Sequence, residues 1–466
     1  MKINSFFKSL FRTKSIENII NDAKKSSLEK TLGALDLVFL GVGCTIGIGI
    51  FVLTGVAAAK YAGPAISISF ALAAFVCMFA ALSYTELAAL VPASGSAYTY
   101  SYFILGEFIA WLVASTLVIE YIFGASIVAA GWSGYFVGIL KSGGINIPEY
   151  LTKIPTEGGL INLPAVLVTL FIGILLIFGT KESMLVNRIL VITKLTVIFL
   201  FLVIATPHVQ MVNYADFLPF GWNGVITGAA TIFLAYAGFD AVSAAAEEVK
   251  NPNRDLPIGI IGSLIICALI YVAASLVLTG IVDYKTLDNS EPITYALRQN
   301  GSNIGSALVG TGAVAGMLTV LLALMYGQSR ILFVISRDGL IPPLFSRLHK
   351  KFHTPHISSI TVTIAIILIS GFTPIKTMGQ MTSLATLAVF AIVCLSVAIL
   401  RFTRPELKRS FKCPAVFIIS PIAVLSCSYL IYTLLLETGK PFFIWIAFSL
   451  CFYFLYGYKK SPLNKK

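Results

Sequence analysis

The chain has 466 residues, 57% of them hydrophobic and only 12% charged, with a mean hydropathy of +0.90. Soluble globular proteins are about a quarter charged, so this composition excludes a soluble domain and implies an integral membrane protein with many spans. Short alternating strands are missing, which excludes a β-barrel, and the net charge of +12 is spread in a way that excludes nucleic-acid binding, as its distribution along the chain makes plain.

Residues 1–33 are polar and basic, without a cleavable signal peptide, because the apolar run that follows is too long for an h-region. Phe6, Phe7, Leu10 and Phe11 suit a short amphipathic segment at a membrane surface and a frayed tail equally well. A bilayer core about 30 Å thick takes about 20 apolar residues per helix. Twelve candidate spans follow, at roughly 35–59, 64–91, 103–139, 162–179, 184–206, 221–247, 257–282, 304–335, 357–373, 381–400, 414–436 and 441–458. If residues 1–30 are cytoplasmic and each span crosses once, 24 of the 33 Lys and Arg lie in cytoplasmic segments and seven on the other side. This positive-inside bias puts both termini in the cytoplasm and the protein in a plasma (cell inner) membrane, with attraction to anionic lipid head groups.

Span one contains Gly41–Phe51 (GVGCTIGIGIF), with Gly43, Gly47 and Gly49 in seven residues. Each glycine costs about 1 kcal/mol in a helix interior relative to alanine. Unwinding there frees backbone groups that lipid cannot satisfy, so the break must face protein or water. The half-helix that restarts beyond it presents N–H groups and a positive dipole end to an anion such as a carboxylate. A close-packing face of the small-xxx-small type, Gly43-x-x-x-Gly47, reads the same residues structurally. Within span three, Glu120 is an acid at membrane depth. Lys194, in the apolar run 184–206, lies about ten residues from the nearer interface, or ~15 Å along a helix, too far for its side chain to snorkel. Intramembrane ionisable residues are functional candidates by default. A buried amine can load and release a proton as access alternates, or supply a fixed positive charge between helices. Glu120 is the natural partner for that charge.

Span six carries a second interruption, Ala235–Ser243 (AYAGFDAVS). Carbonyls released there can accept bonds from an ammonium, and a carboxylate site facing an ammonium site selects an α-amino acid zwitterion. Asp240 is read either as a substrate contact or as the cap of the second half-helix. Breaks in spans one and six, five spans apart, begin from opposite sides of the membrane, the signature of an inverted repeat. The predicted fold class is therefore all-α integral membrane, with twelve transmembrane helices: a five-plus-five inverted repeat in 34–206 and 221–402, two extra C-terminal helices in 413–458 and a cytoplasmic tail at 459–466. Glu86, Glu107, Glu247 and Glu248, near span ends, read as caps or interfacial pairs. Cysteines in the spans read as reduced small hydrophobes, and the four histidines all lie in loops, so no metal or cofactor is expected.

Motifs at these positions resemble the amino acid–polyamine–organocation superfamily, within its cationic amino acid transporter family, over nearly the whole chain. They are residues 47–55 (GIGIFVLTG), 83–87 (SYTEL), 92–98 (PASGSAY), 238–242 (GFDAV), 247–252 (EEVKNP), 326–330 (YGQSR) and 336–339 (SRDG). The resemblance implies a bacterial-type permease with the leucine-transporter-type fold, alternating access and proton-coupled amino acid uptake. It implies that Thr45, Ile46, Gly47, Ile48 and Gly49 bind the substrate carboxylate, and Ala235, Tyr236 and Gly238 the amine. It implies that Met325 shapes the side-chain pocket, that Lys194 replaces a sodium ion and that Glu120 joins it in proton coupling. Ile48 stands where relatives often have Thr or Ala, which narrows the pocket. Leu234 stands where relatives often have an aromatic gate, with Phe233 adjacent but about 100° round the helix, so both are gate candidates.

The expected partners are an amino acid, a proton and the lipid bilayer. The residues leave open a small membrane helper subunit. Ile48 and Met325 favour small or neutral side chains, slightly ahead of cationic ones. The alternatives are an obligate amino acid or polyamine exchanger, a membrane-embedded enzyme, for which the needed cluster of acids, histidines or a nucleophile is lacking, and a non-transporting receptor.

Overall fold

The computed structural model describes residues 10–15, 32–91, 96–178, 184–246, 249–352 and 354–461. Phe6, Phe7, residues 92–95, Glu247 and Glu248, named above, lie outside them. The long elements are helical: α1 (Ala34–Thr45), α2 (Ile66–Leu90), α3 (Ser96–Ile104), α4 (Glu107–Ser142), α5 (Leu163–Phe178), α6 (Met184–Ala205) and α7 (Gly221–Ile232). They continue with α8 (Pro252–Ile281), α9 (Pro292–Gln299), α10 (Asn303–Arg337), α11 (His356–Phe372), α12 (Ile375–Thr403) and α13 (Val416–Phe452). Among the described residues seven helical runs are long and apolar enough to cross a membrane, and α1, α5 and α11 are shorter apolar helices.

Two of those runs are too long for one crossing. Gly49–Leu90 has 42 residues and Val416–Lys460 has 45, each roughly twice what a ~30 Å core takes. Each is interrupted. The first changes direction at the 3-10 turn Gly63–Ala65, which carries Pro64. The second is kinked at Thr438, whose φ of −128° and ψ of 16° leave the helical region. Pro441 lies three residues on, lacks an N–H and crowds the carbonyl four residues back, at Glu437. The separate spans expected at 414–436 and 441–458 correspond to the two helical stretches that meet at this kink. The span expected from 103 is divided at Leu105–Gly106 into α3 and α4, and helix α12 starts at Ile375, six residues before the apolar run begins.

The long helix α4 forms the centre, packed on α10 and α12 and touching α3, α5, α11 and α13. Helix α8 packs on α1 and α2. Described residues near the two chain ends, Arg12 and Ser461, meet at one face. Lys14 pairs with Asp338 at 2.9 Å, and Tyr98 donates to the same carboxylate at 2.7 Å. Glu107, fully buried, accepts from Tyr453 at 3.0 Å and from Ser461, and pairs with Arg12 at 3.6 Å. Glu86, also buried, is held by Arg401 at 2.7 Å and Arg409 at 3.0 Å and accepts the backbone N–H of Cys413 at 2.7 Å. Glu86 and Glu107 are therefore ion-paired between elements and do not cap helices.

Candidate functional site

The first break follows α1 directly. Ile46 is extended (φ −74°, ψ 103°), and the chain resumes as a π-helical turn at Gly49–Leu53. The second follows α7: a 3-10 turn at Phe233–Tyr236, an extended Ala237 (φ −61°, ψ 138°) and Gly238 at φ +120°. Only glycine takes that φ without strain. A side chain there would also meet the Cys44 carbonyl at 2.8 Å and the Thr45 N–H nitrogen at 2.9 Å. The breaks touch again where Gly49 lies against the Ala235 methyl, too close for any Cβ on residue 49. Two interrupted backbones thus cross in direct contact, with Thr45, Ile46, Ile48, Ala235 and Tyr236 all buried around the crossing.

One side chain ties the crossing together that the sequence did not mark. Tyr271 of α8, fully buried, places its hydroxyl 2.8 Å from the Thr45 carbonyl and 2.9 Å from the Ala235 carbonyl. A phenol has one proton and can donate to only one of them at a time, so the second carbonyl keeps a free lone pair. Its one sequence signal is a tyrosine amid the apolar run CALIYVAAS, where a hydroxyl needs a partner.

Asp240 does not cap the second half-helix. Its backbone is already helical (φ −68°, ψ −24°), and an N-cap needs an extended backbone. The carboxylate turns back to accept the Gly238 N–H at 3.0 Å, holding the break open in its present shape.

Lys194 is 1% exposed, and its Nζ donates to the Gly43 carbonyl at 2.8 Å. Room for its stem comes from Gly316 of α10, where a Cβ would lie 2.9 Å from Lys194 Cγ. The positive group therefore sits on the α1 side of the first break, at the negative end of that half-helix. Glu120 does not meet it. Its Oε1 accepts from Thr386 Oγ1 at 2.8 Å while Oε2 is buried without a hydrogen-bond partner, and no ion pair joins it to Lys194 among the described residues. The expected pair is separated because the α4 carboxylate turns to α12, while α6 delivers its amine to α1.

Met325 is fully buried on α10, three residues from Gln328, whose amide atoms are also buried without partners. Of the two gate candidates, Phe233 is buried against Phe390, ring centroids 5.8 Å apart. Leu234 is slightly exposed, and its N–H donates to Ser383 Oγ at 3.1 Å. Beyond the crossing, away from the face that holds the termini, a cavity of about 900 Å³ opens between α4 and the continuation of the first broken helix, with Val56, Lys60, Ser133, Val137, Glu291 and Lys376 in its walls. No group of three or more metal-ligating side chains occurs among the described residues.

These features are those of a membrane permease. Residues 32–457 match the family model described as amino acid permease. The chain is 43% identical over 459 residues to the methylthioribose transporter of Bacillus subtilis (strain 168), covering 98% of this chain and 100% of that protein. It is 43% identical over 463 residues to the branched-chain amino acid permease BcaP of the same organism (98% and 99%). It is 36% identical over 409 residues to the vacuolar cationic amino acid transporter 4 of Arabidopsis thaliana (85% and 68%). The chain belongs to the amino acid permease family, whose members are transporters and not enzymes.

Proposed function

We propose that this protein imports a neutral amino acid together with a proton by alternating access between two faces of the plasma membrane. The observation that carries the reading is the Lys194–Gly43 bond beside two crossed helix breaks. A protonated Lys194 fastens the inner half of the broken first helix; once neutral, its amine holds that carbonyl less strongly, because a charged donor makes the stronger hydrogen bond. Protonation then sets which side the substrate can leave by. Thr45 to Gly49 would receive the carboxylate. The carbonyls of Ala235 and its neighbours, one of them left unbonded by Tyr271, would receive the ammonium alongside Tyr236 and Gly238. Met325 and Ile48 would bound the side chain, Leu234 would close over it and Glu120 would take part in the proton coupling.

Twelve spans arranged as a five-plus-five inverted repeat with two added helices, both termini cytoplasmic, complete this reading. It is supported by the two double-length runs, each with its own interruption, and by the positive-inside bias of the charges. The face that gathers the termini is then the inner one and the 900 Å³ cavity the outer vestibule.

The apolar pocket residues and the relative named as a branched-chain permease favour small or branched neutral substrates. The equally similar relative named as a methylthioribose transporter gives the second reading, a thiosugar substrate. Uptake of labelled leucine and alanine into proteoliposomes, competed by arginine and by methylthioribose, separates them. Leucine and alanine should compete with each other while a hundredfold excess of arginine leaves uptake intact. Transport of arginine or methylthioribose alone would overturn the proposal.

A further inference from the structure

The helix pair after the proposed repeat has no part in the crossing of the breaks, yet one of its carboxylates reaches the wall of the vestibule. Three donors converge on Glu437 Oε2 at the kink of α13: Tyr61 OH at 3.0 Å, Gln380 Nε2 at 2.8 Å and Lys376 Nζ at 2.9 Å. Around this oxygen the groups bind each other. Gln380 Nε2 also lies 3.3 Å from Tyr61 OH, Lys376 sits over the Tyr61 ring at 5.1 Å, and Thr438 Oγ1 donates to Gln380 Oε1.

These donors come from two elements. Tyr61 ends the outer half of the first broken helix, in the π-helical turn Ala58–Ala62. Lys376 and Gln380 begin α12. Both elements also touch the second break: Gly49 lies on Ala235, and Ser383 of α12 accepts the Leu234 N–H while donating to the Thr231 carbonyl at 3.0 Å. Their outer ends supply Val56, Lys60 and Lys376 to one wall of the vestibule, whereas Ala130, Ser133 and Val137 of α4 supply the opposite wall. Tyr61 and Glu437 are not part of the lining, so the bonds tie the outer end of this wall to the C-terminal helices from behind it. The kink delivers the acceptor, since Pro441 and the non-helical Thr438 turn the chain at this carboxylate.

We propose that Glu437 is a positioning residue that clamps the outer ends of the first broken helix and α12 to the C-terminal helix pair, and so holds the vestibule open to outside substrate. The inference rests on the transport reading above for its direction, but its test needs no substrate. With the carboxylate removed, the outer end of that wall, beyond the bond from Tyr135 of α4 to the Phe51 carbonyl at 2.6 Å, is free to move and narrow the vestibule.

The test places a reporter on the unclamped wall. Val137→Cys, half-buried in the cavity, is labelled in intact cells with a membrane-impermeant maleimide, with and without Glu437→Gln. The clamp predicts slower labelling in the Glu437→Gln chain by at least about threefold, since hydrogen bonds to a charged group exceed that worth. It also predicts a raised KM for outside substrate with a smaller change in maximal rate. Tyr61→Phe removes one arm only and should give a weaker change in the same direction, which keeps the test alive if Glu437→Gln does not assemble. Labelling that is unchanged or faster in both variants overturns the clamp. Slower labelling in a protein that moves no amino acid upholds the clamp and overturns the transport reading instead.

Discussion

Lys194 and Gly43 are joined across two helices: the amine of α6, sealed from solvent, donates at 2.8 Å to a carbonyl one turn before α1 breaks. The carbonyl belongs to the stretch whose unwinding exposes the proposed substrate contacts, so the charge of one side chain bears directly on the shape of the site.

The contact between Gly49 and Ala235 gives the first prediction. Gly49→Ala puts two methyl groups into the space of one, and overpacking costs about 1–3 kcal/mol. Uptake should fall roughly five- to hundredfold at unchanged expression, and Ala235→Gly on top of it should restore only a small part, because the backbone Cα of residue 235 lies 2.5 Å from the added methyl and stays in place. Uptake assays on the single and double variants check this. Wild-type uptake in Gly49→Ala would mean that the breaks do not cross at these residues.

Tyr271→Phe removes a hydroxyl that serves two buried carbonyls. Leaving a buried acceptor without its donor costs about 1–3 kcal/mol, so the thermal midpoint should drop. Substrate should restore more of the midpoint in the variant than in the wild type, since the ammonium then supplies the missing donor. Thermal-shift measurements with and without leucine read both effects.

Cys413 lies in the segment between α12 and α13, where burial first and the neighbouring Glu86 carboxylate second push its thiol up to about 11. The thiolate is the reactive form. Labelling of Cys413 by maleimide should therefore be very slow at pH 7 and climb nearly tenfold per pH unit toward pH 9. Glu86→Gln removes the neighbouring charge that disfavours the thiolate, and labelling at pH 8 should become faster. Rates followed by intact-protein mass spectrometry give the comparison.

Some of this was legible in the residues and some was not, for physical reasons. A helix interrupted by three glycines, and a lysine far from either interface, show in one dimension because lipid penalises both wherever the helix lies. The family was legible in its motifs for a related reason, since Gly238-Phe239-Asp240 encodes a local backbone bend. Contacts between helices leave no such trace. Nothing in the spacing of Lys194 and Glu120 tells that one turns to α1 and the other to α12. Tyr271 carries only the general need of a buried hydroxyl for a partner. Asp240 misleads on sequence alone, since an aspartate opening a helix looks like a cap until its backbone dihedrals are known. The kink at Thr438 follows from Pro441, but the meeting of Glu437 with Tyr61, 376 residues earlier, is visible only in three dimensions.

Purified protein in vesicles with an imposed pH gradient, acid outside, and no amino acid inside tests the central claim most directly. Labelled leucine should accumulate above its outside concentration in wild-type vesicles. In Lys194→Ala vesicles it should merely equilibrate, with leucine still raising the thermal midpoint. Equal accumulation by both proteins, or no uptake by the wild type until internal amino acid is supplied, would contradict the account.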